Sequence, residues 1–278
     1  MTDQYYLIGE RVSASPTPGM FNAAFENAGV DAEYSAVSVA TEQLSAQFSS
    51  LKSKGAKGFN ITIPFKTTVI PLLDGLDGTS AKIGAVNTVK EAGRAYFGYN
   101  TDVYGITRSL ELHEKTEAEK ALLIGAGGAA RAFCEVADEI GCRSITVAVR
   151  EATRAAKFID MMTAAFPETE FELCSIDSLR GGDFDLVFNA SPIGSAGIPL
   201  PDSLRRVLMG DMLVFDAVYY PAETELLAAA ASKGSQTIAG YQMLLHQAVA
   251  SFEIWTGQRP SEQVMERVFL DTIRRNER

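Results

Sequence analysis

The sequence predicts an α/β protein in two parts: a mixed α/β first domain, then a domain built on a doubly wound parallel sheet. Three observations lead there. Strand-like and helix-like periodicities alternate through the first hundred residues, as they do when helices cover a sheet. The apolar run Ala121–Ile124 passes directly into a glycine-rich turn and a helix, and five more strand candidates follow with helices between. The chain has 278 residues, 46% of them apolar and 22% charged, which suits a substantial core in one large domain or two ordinary ones.

The elements follow in order. "YYLIGE" (5–10) is a short strand, and "GMFNAAFENAG" (19–29) is a helix with Phe21, Ala24 and Phe25 on one face and Gly29 as its stop. "AEYSAVSV" (32–39) alternates as a strand does, and "EQLSAQFSSLKSKG" (42–55) is a helix closed by glycine. "KGFNITI" is the next strand, which Pro64 is expected to stop because proline cannot donate to a ladder. "AVNTVKEAGRAYFGYNTD" predicts a hairpin around Ala92-Gly93. "DVYGITRSLELH" reads as a connecting helix and "EKTEAEK" as a polar seam. After Ala121–Ile124 come strands at 144–150, 171–176, 185–191, 212–219 and 236–240, then two helices split by Gly257 and Pro260.

Composition excludes several functions. The net charge is −10 with no basic stripe, which argues against nucleic acid as a partner. The apolar runs stop short of spanning length, and "MTDQYYLIGE" lacks a basic start and a long apolar core, so a cytoplasmic protein with no membrane partner is expected. Cys134, Cys142 and Cys174 have no metal-like spacing and make no disulfide framework. With only His113 and His246, a multi-histidine metal site is not expected, and no metal is assigned.

The turn "GAGGAA" spans Gly125, Ala126, Gly127, Gly128, Ala129 and Ala130. Any tight strand-to-helix turn uses glycine, so the hexamer alone says little. Its context says more: a strand precedes it, a helix follows, and a second strand ends about 20 residues on, the spacing of a Rossmann unit. Backbone N–H groups and a helix N-terminus would face a pyrophosphate, with Gly127 leaving room for close approach. The second strand ends at Val149-Arg150-Glu151, with Arg154 one turn later. An acidic residue there would receive a ribose diol, whereas arginine clamps a 2′-phosphate. Arg150 points to NADP, Glu151 keeps NAD as the lesser alternative, and two solvated arginines are the plain reading.

"GFNITIPFKTT" places Lys66 just past an apolar strand. By itself this is a lysine whose stem packs and whose head reaches water. The wider pattern adds to it. "NITIPFK", "GAVNT", "YNTD", "GAGGAAR", "NASPIG", "DAVYYPAETELL" and "GYQMLLHQA" occur in the order and approximate spacing of the shikimate dehydrogenases, so that the whole chain resembles that family. The resemblance implies a substrate domain at 1–102, joined by the returning helices of 241–278, and a Rossmann NADP-binding domain at 103–240, with the active site in the cleft between. It implies that Lys66 and Asp102 are the catalytic pair. It further implies that Ser15, Thr17, Thr62, Asn87, Tyr219 and Gln247 bind the substrate, and that Ala190, Gly240 and Met243 join Gly125–Ala129, Arg150 and Arg154 at the cofactor. Short hydroxyls and amides suit a small polyhydroxylated cyclohexene or cyclohexane carboxylate, since they donate and accept. Singly, each is an ordinary turn, cap or core residue.

Two positions depart from the family pattern S-x-S-P-x-x-H: Thr17 stands for the second serine and Phe21 for the histidine. The threonine resembles the quinate-accepting branch, whereas Arg150 does not. The expected enzyme is an NADP-dependent shikimate dehydrogenase, monomeric or homodimeric. The alternatives are a quinate/shikimate dehydrogenase using NAD or NADP, and a non-catalytic metabolite sensor on the same fold, against which the retained Lys66 and Asp102 argue. A methylene-tetrahydrofolate dehydrogenase shares the layout, but "YNTD" and "YYPAET" oppose it. His246 reads as a packed helix histidine.

Overall fold

The computed structural model describes residues 2–115, 117–195 and 197–276. Met1 and Thr116, read in the sequence as part of the N-terminal segment and the polar seam, lie outside them. The chain forms two compact units, Met1–Gly105 with Leu245–Arg278, and Ile106–Leu244.

The first unit carries β1 (Asp3–Gly9), α1 (Thr17–Ala28), β2 (Ala32–Ser38), α2 (Leu44–Ser53), β3 (Gly58–Ile61), β4 (Gly75–Leu76), α3 (Gly78–Ile83), β5 (Thr88–Ala92) and β6 (Ala95–Tyr99). It also holds the start of α4 (Asp102–Leu112), most of α9 (Gly240–Thr256) and all of α10 (Glu262–Asn276). Its sheet runs β2-β1-β3-β5-β6-β4, with β1 parallel to β2 and β3, and β5 antiparallel to both β3 and β6. The short β4 and α3 are additions to the elements that the sequence predicts; a two-residue strand is too brief to leave a period in the sequence.

Alternation along β3 sorts the two faces of this sheet. Phe59 and Ile61 join Phe48 and Leu51 of α2 in one buried cluster with Phe65 and Val69. Gly58 and Asn60 face α9: a Cβ on Gly58 would meet the Trp255 indole at 2.5 Å, and the Asn60 amide donates to Ser251 Oγ at 3.0 Å. On that same face Phe21 stacks on Tyr34, centroids 4.5 Å apart and 7° from parallel, with Trp255 at 5.1 Å from Phe21. Phe21 is thus a core aromatic.

The third strand is shorter than its sequence suggested. It ends at Ile61, and Thr62 still donates to Ile8 O at 2.9 Å before Phe65 N closes a turn on Thr62 O at 2.8 Å. The turn begins ahead of Pro64 because it must return Phe65 to the core, and it leaves Ile63 68% exposed. The peptide bond Ile63–Pro64 is cis. The hairpin turns at Gly93-Arg94, both at positive φ (63° and 73°), as in a two-residue loop of the tight primed kind. Glu91 braces it by accepting from Arg94 N at 2.6 Å and from Lys57 Nζ at 3.2 Å, which holds its carboxyl below the usual range.

The second unit alternates β7 (Lys120–Ile124), α5 (Gly128–Glu139), β8 (Ser144–Val149), α6 (Ala156–Ala165), β9 (Glu170–Ser175), β10 (Leu186–Asn189), α7 (Asp202–Val207), β11 (Leu213–Asp216), α8 (Glu225–Ala231) and β12 (Gln236–Ala239). All pairings are parallel and the order is β12-β11-β10-β7-β8-β9. This is the doubly wound arrangement, whose order reverses between β7 and β10. Among the described residues no helix is long and apolar enough to cross a membrane, and no group of three or more His, Cys, Asp or Glu could hold a metal ion.

Candidate active site

Sheet topology gathers the polar residues of the first unit at one edge. β1 and β3 are parallel, so the loops after Gly9 and Ile61 leave from the same end. β5 runs the other way and enters from that end, and β6 returns to it. Ser15 and Thr17 therefore follow β1, Thr62 and Lys66 follow β3, Asn87 precedes β5, and Asn100-Thr101-Asp102 follow β6.

Backbone bonds clamp these loops together. Val86 N donates to Lys66 O at 2.7 Å, Ile61 N to Asn87 O at 2.8 Å, and Asn87 N to Tyr99 O at 3.0 Å. Asn100 ties the start of α4, accepting from Asp102 N at 3.1 Å and donating to Ala85 O at 3.0 Å. Lys66 Nζ meets Asp102 Oδ2, with the two side chains 14% and 4% exposed. The other carboxylate oxygen, Oδ1, accepts from Asn87 Nδ2 at 2.9 Å, and Asn87 Nδ2 also reaches Gln247 Oε1 of α9 at 3.2 Å. Lys66, Asp102, Asn87 and Gln247 thus form one hydrogen-bonded group. A largely buried ion pair of this kind is held by added hydrogen bonds, because charges taken from water need every lone pair satisfied.

Ser15 and Thr17 meet each other: Ser15 Oγ donates to Thr17 Oγ1 at 3.0 Å and accepts from Thr17 N at 3.3 Å. Thr17 is buried and opens α1, which has no side-chain cap. Gly9 admits Thr62 beside β1, since a Cβ on Gly9 would lie 2.4 Å from Thr62 Cγ2.

The second unit holds the remaining predicted residues at the carboxyl ends of its strands. Gly125 sits at φ 105°, and a Cβ there would lie 3.2 Å from the Ala190 carbonyl, so the turns after β7 and β10 touch. A Cβ on Gly127 would meet nothing within 4 Å. Gly127 precedes α5 in extended conformation with no side-chain cap. Open space before an uncapped helix N-terminus fits a dinucleotide's pyrophosphate, because the first N–H groups of a helix lack partners within it. Arg150 is exposed just past β8. Arg154 is tied to Glu151 at 2.8 Å and is 79% exposed. Gly240 packs on the backbone of Ala217 and Val218, where a Cβ would lie 2.5 Å from Val218 O. Tyr219 is half-buried and Met243 buried.

Sequence reasoning missed a buried set behind Asn87: Tyr34, Asn60, Thr88, Thr101 and Ser251. One signal was available, since Ser251 lies one turn after Gln247 on the same helical face.

Two family models match the chain: the shikimate dehydrogenase substrate binding domain over residues 7–89 and the shikimate 5′-dehydrogenase C-terminal domain over 240–268. Shikimate dehydrogenase (NADP(+)) of Archaeoglobus fulgidus is 37% identical over 275 residues, covering 96% of this chain and 98% of the relative. A crystal structure of a shikimate dehydrogenase in complex with NADP+ superposes with a TM-score of 0.87 at 35% identity, covering 98% of this chain and 96% of the other. Quinate dehydrogenase of Corynebacterium glutamicum in complex with NAD also superposes with a TM-score of 0.87, at 30% identity over 97% of this chain and 99% of the other.

Proposed function

This chain belongs to the shikimate dehydrogenase family, and from that premise we propose that it transfers a hydride between NADP(H) and shikimate/3-dehydroshikimate. The observation that carries the reading is the Lys66–Asp102 pair, held through Asn87 to Gln247. Bound NADP+ would take the hydride from the carbinol carbon. The hydroxyl proton needs a partner of its own. Lys66, oriented by Asp102, is the group that stabilises charge on that oxygen and exchanges the proton with it. Ser15 and Thr17 would hold the ring carboxylate, and Thr62, Asn87, Gln247 and Tyr219 the hydroxyls.

The substrate domain is read as 1–102 with 241–278 and the NADP domain as 103–240, a division supported by the two compact units. Gly125, Ala126, Gly127, Gly128, Ala129 and Ala190 would line the pyrophosphate, Arg150 and Arg154 the 2′-phosphate, and Gly240 and Met243 the nicotinamide side. The free cysteines suit a cytoplasmic setting, and a monomer or homodimer is the assembly adopted.

The test is absorbance at the nicotinamide band with purified protein, shikimate or quinate, and NADP+ or NAD+. The expected result is fastest reduction with shikimate and NADP+. Silence with all four pairs overturns the assignment. Quinate is the second reading, supported by Thr17 and by the likeness to a quinate dehydrogenase.

A further inference from the structure

The hydrogen-bonded set behind Asn87 has a direction that can be worked out atom by atom. Asn60 Nδ2 lies 3.2 Å from the Asn87 carbonyl, which only accepts. Asn60 Oδ1 therefore accepts, and Tyr34 Oη, 2.8 Å away, donates to it. Burial pushes the Tyr34 hydroxyl well above its ordinary value, so the donor proton stays. Asn87 is fixed in the same way. Thr101 N donates to its Oδ1 at 2.7 Å, so Nδ2 must face Asp102 and Gln247.

Ser251 joins these groups. Its hydroxyl accepts from Asn60 Nδ2 at 3.0 Å and donates to the Gln247 carbonyl at 3.0 Å. It also lies 2.8 Å from Thr88 Oγ1 and 3.0 Å from Thr101 Oγ1. The register of α9 follows from two contacts: Trp255 fills the Gly58 slot, and Ser251, one turn earlier, sits on Asn60. One further turn brings Gln247 to Asn87. All of these groups lie in the first compact unit.

We propose that Tyr34 and Ser251 are positioning residues, which through Asn60, Thr88 and Thr101 set the orientation of Asn87 and hence of Asp102 and Gln247 toward the substrate. The proposal rests on the dehydrogenase reading above. Neither residue reaches the substrate; each acts on atoms that do. Because the set is buried, deleting one hydroxyl leaves partners without hydrogen bonds, so the groups beyond it must shift or remain unsatisfied.

Tyr34→Phe keeps the ring stacked on Phe21, and Ser251→Ala keeps the helix. Each should lower kcat/KM for shikimate by about 3- to 10-fold, the worth of one hydrogen bond in such a set, with KM for NADP+ unchanged. Phe48→Leu, in the cluster on the opposite sheet face, controls for stability and should lower Tm without that split. Pairing Ser251→Ala with Asn87→Ala should cost little beyond Asn87→Ala alone, because both act through one group. The side-chain amide resonances of Asn87 in the ligand-free protein should move in both single variants. Unchanged kcat/KM in both, full additivity with Asn87→Ala, or unmoved Asn87 resonances would each overturn the proposal. If the parental protein reduces no NADP+ with shikimate, the dehydrogenase reading is what fails, and the Asn87 resonances still decide the positioning role.

Discussion

At the scale of single residues, the proposed chemistry makes distinct demands on Lys66, Thr17 and Arg150. Lys66 is mostly buried against Asp102, so Lys66→Ala removes the counter-charge of Asp102 and, on the proposed mechanism, the proton partner of the substrate hydroxyl. It should lower kcat by about 10² to 10⁴, the usual worth of a positioned acid or base, with a much smaller change in substrate binding; near-parental turnover ends the assignment. Thr17 is buried at the start of α1 with its hydroxyl on Ser15. Thr17→Ser should shift the shikimate-to-quinate ratio of specificity constants by about 1 kcal/mol, whereas Thr17→Val should weaken both substrates. Identical kinetics in all three proteins would remove Thr17 from the site. Arg150 is exposed beyond β8, while Glu151 holds Arg154. Arg150→Ala should therefore weaken NADP+ by about 1.5–3 kcal/mol, the worth of charge-assisted bonds, and leave NAD+ use as it was. Equal losses for both cofactors would contradict the 2′-phosphate role.

At the scale of elements, one small residue makes room for the α9 helix. Gly58 has no room for a side chain because Trp255 occupies the space, its Nε1 donating to Val89 O at 2.9 Å. Lys90 Nζ adds a bond to the Ile254 carbonyl at 2.5 Å. Gly58→Ala must push the indole aside, which should cost about 1–3 kcal/mol of stability as overpacking does. It should also raise KM for shikimate, since Gln247 lies two turns along the same helix. Thermal melts and steady-state kinetics on one preparation check this, and a fall in Tm with unchanged KM would show that the helix register does not carry Gln247. The sequence reading of Lys66, Asp102, Asn87 and Gln247 needed only matched motifs, whereas the Gly58–Trp255 fit depends on which strand face meets which helix face, and no local pattern states that.

At the scale of the whole molecule, stability should carry the mark of one buried acid. Asp216 at the end of β11 accepts from Asn189 Nδ2 at 2.8 Å, Thr224 Oγ1 at 2.6 Å and Val218 N at 3.0 Å. Burial outweighs these bonds and pushes its carboxyl up to about 6. An unfolded aspartate titrates near 3.9, so between about pH 4 and 6 the folded chain keeps a proton that the unfolded chain has lost. The stability tied to that proton is complete below about pH 4 and falls as pH rises through about 6, by about 3 kcal/mol. Asp216→Asn should flatten this component, which denaturant midpoints at pH 4.5 and 7 would reveal. Parallel profiles for parental and variant proteins would refute it.

The amino-acid order alone determined the α/β class, the glycine turn before a helix and the chemistry of the candidate residues. Each of these is written in neighbours: period two or 3.6, glycine where the backbone must turn, and a lysine or aspartate inside a short motif. Tertiary structure alone decided which atoms face which. Asn87 meets Gln247 across 160 positions, and Asn60 meets Ser251 across 191. The choice of amide face at Asn60 and Asn87 follows from a carbonyl and an N–H brought there by the sheet. Tyr34 gained its place because a phenylalanine stacks on it from α1 and an asparagine from β3 accepts the hydrogen bond of its hydroxyl. Such partners are far apart along the chain, and a buried polar group finds the donor or acceptor it needs only when strands and helices have already packed.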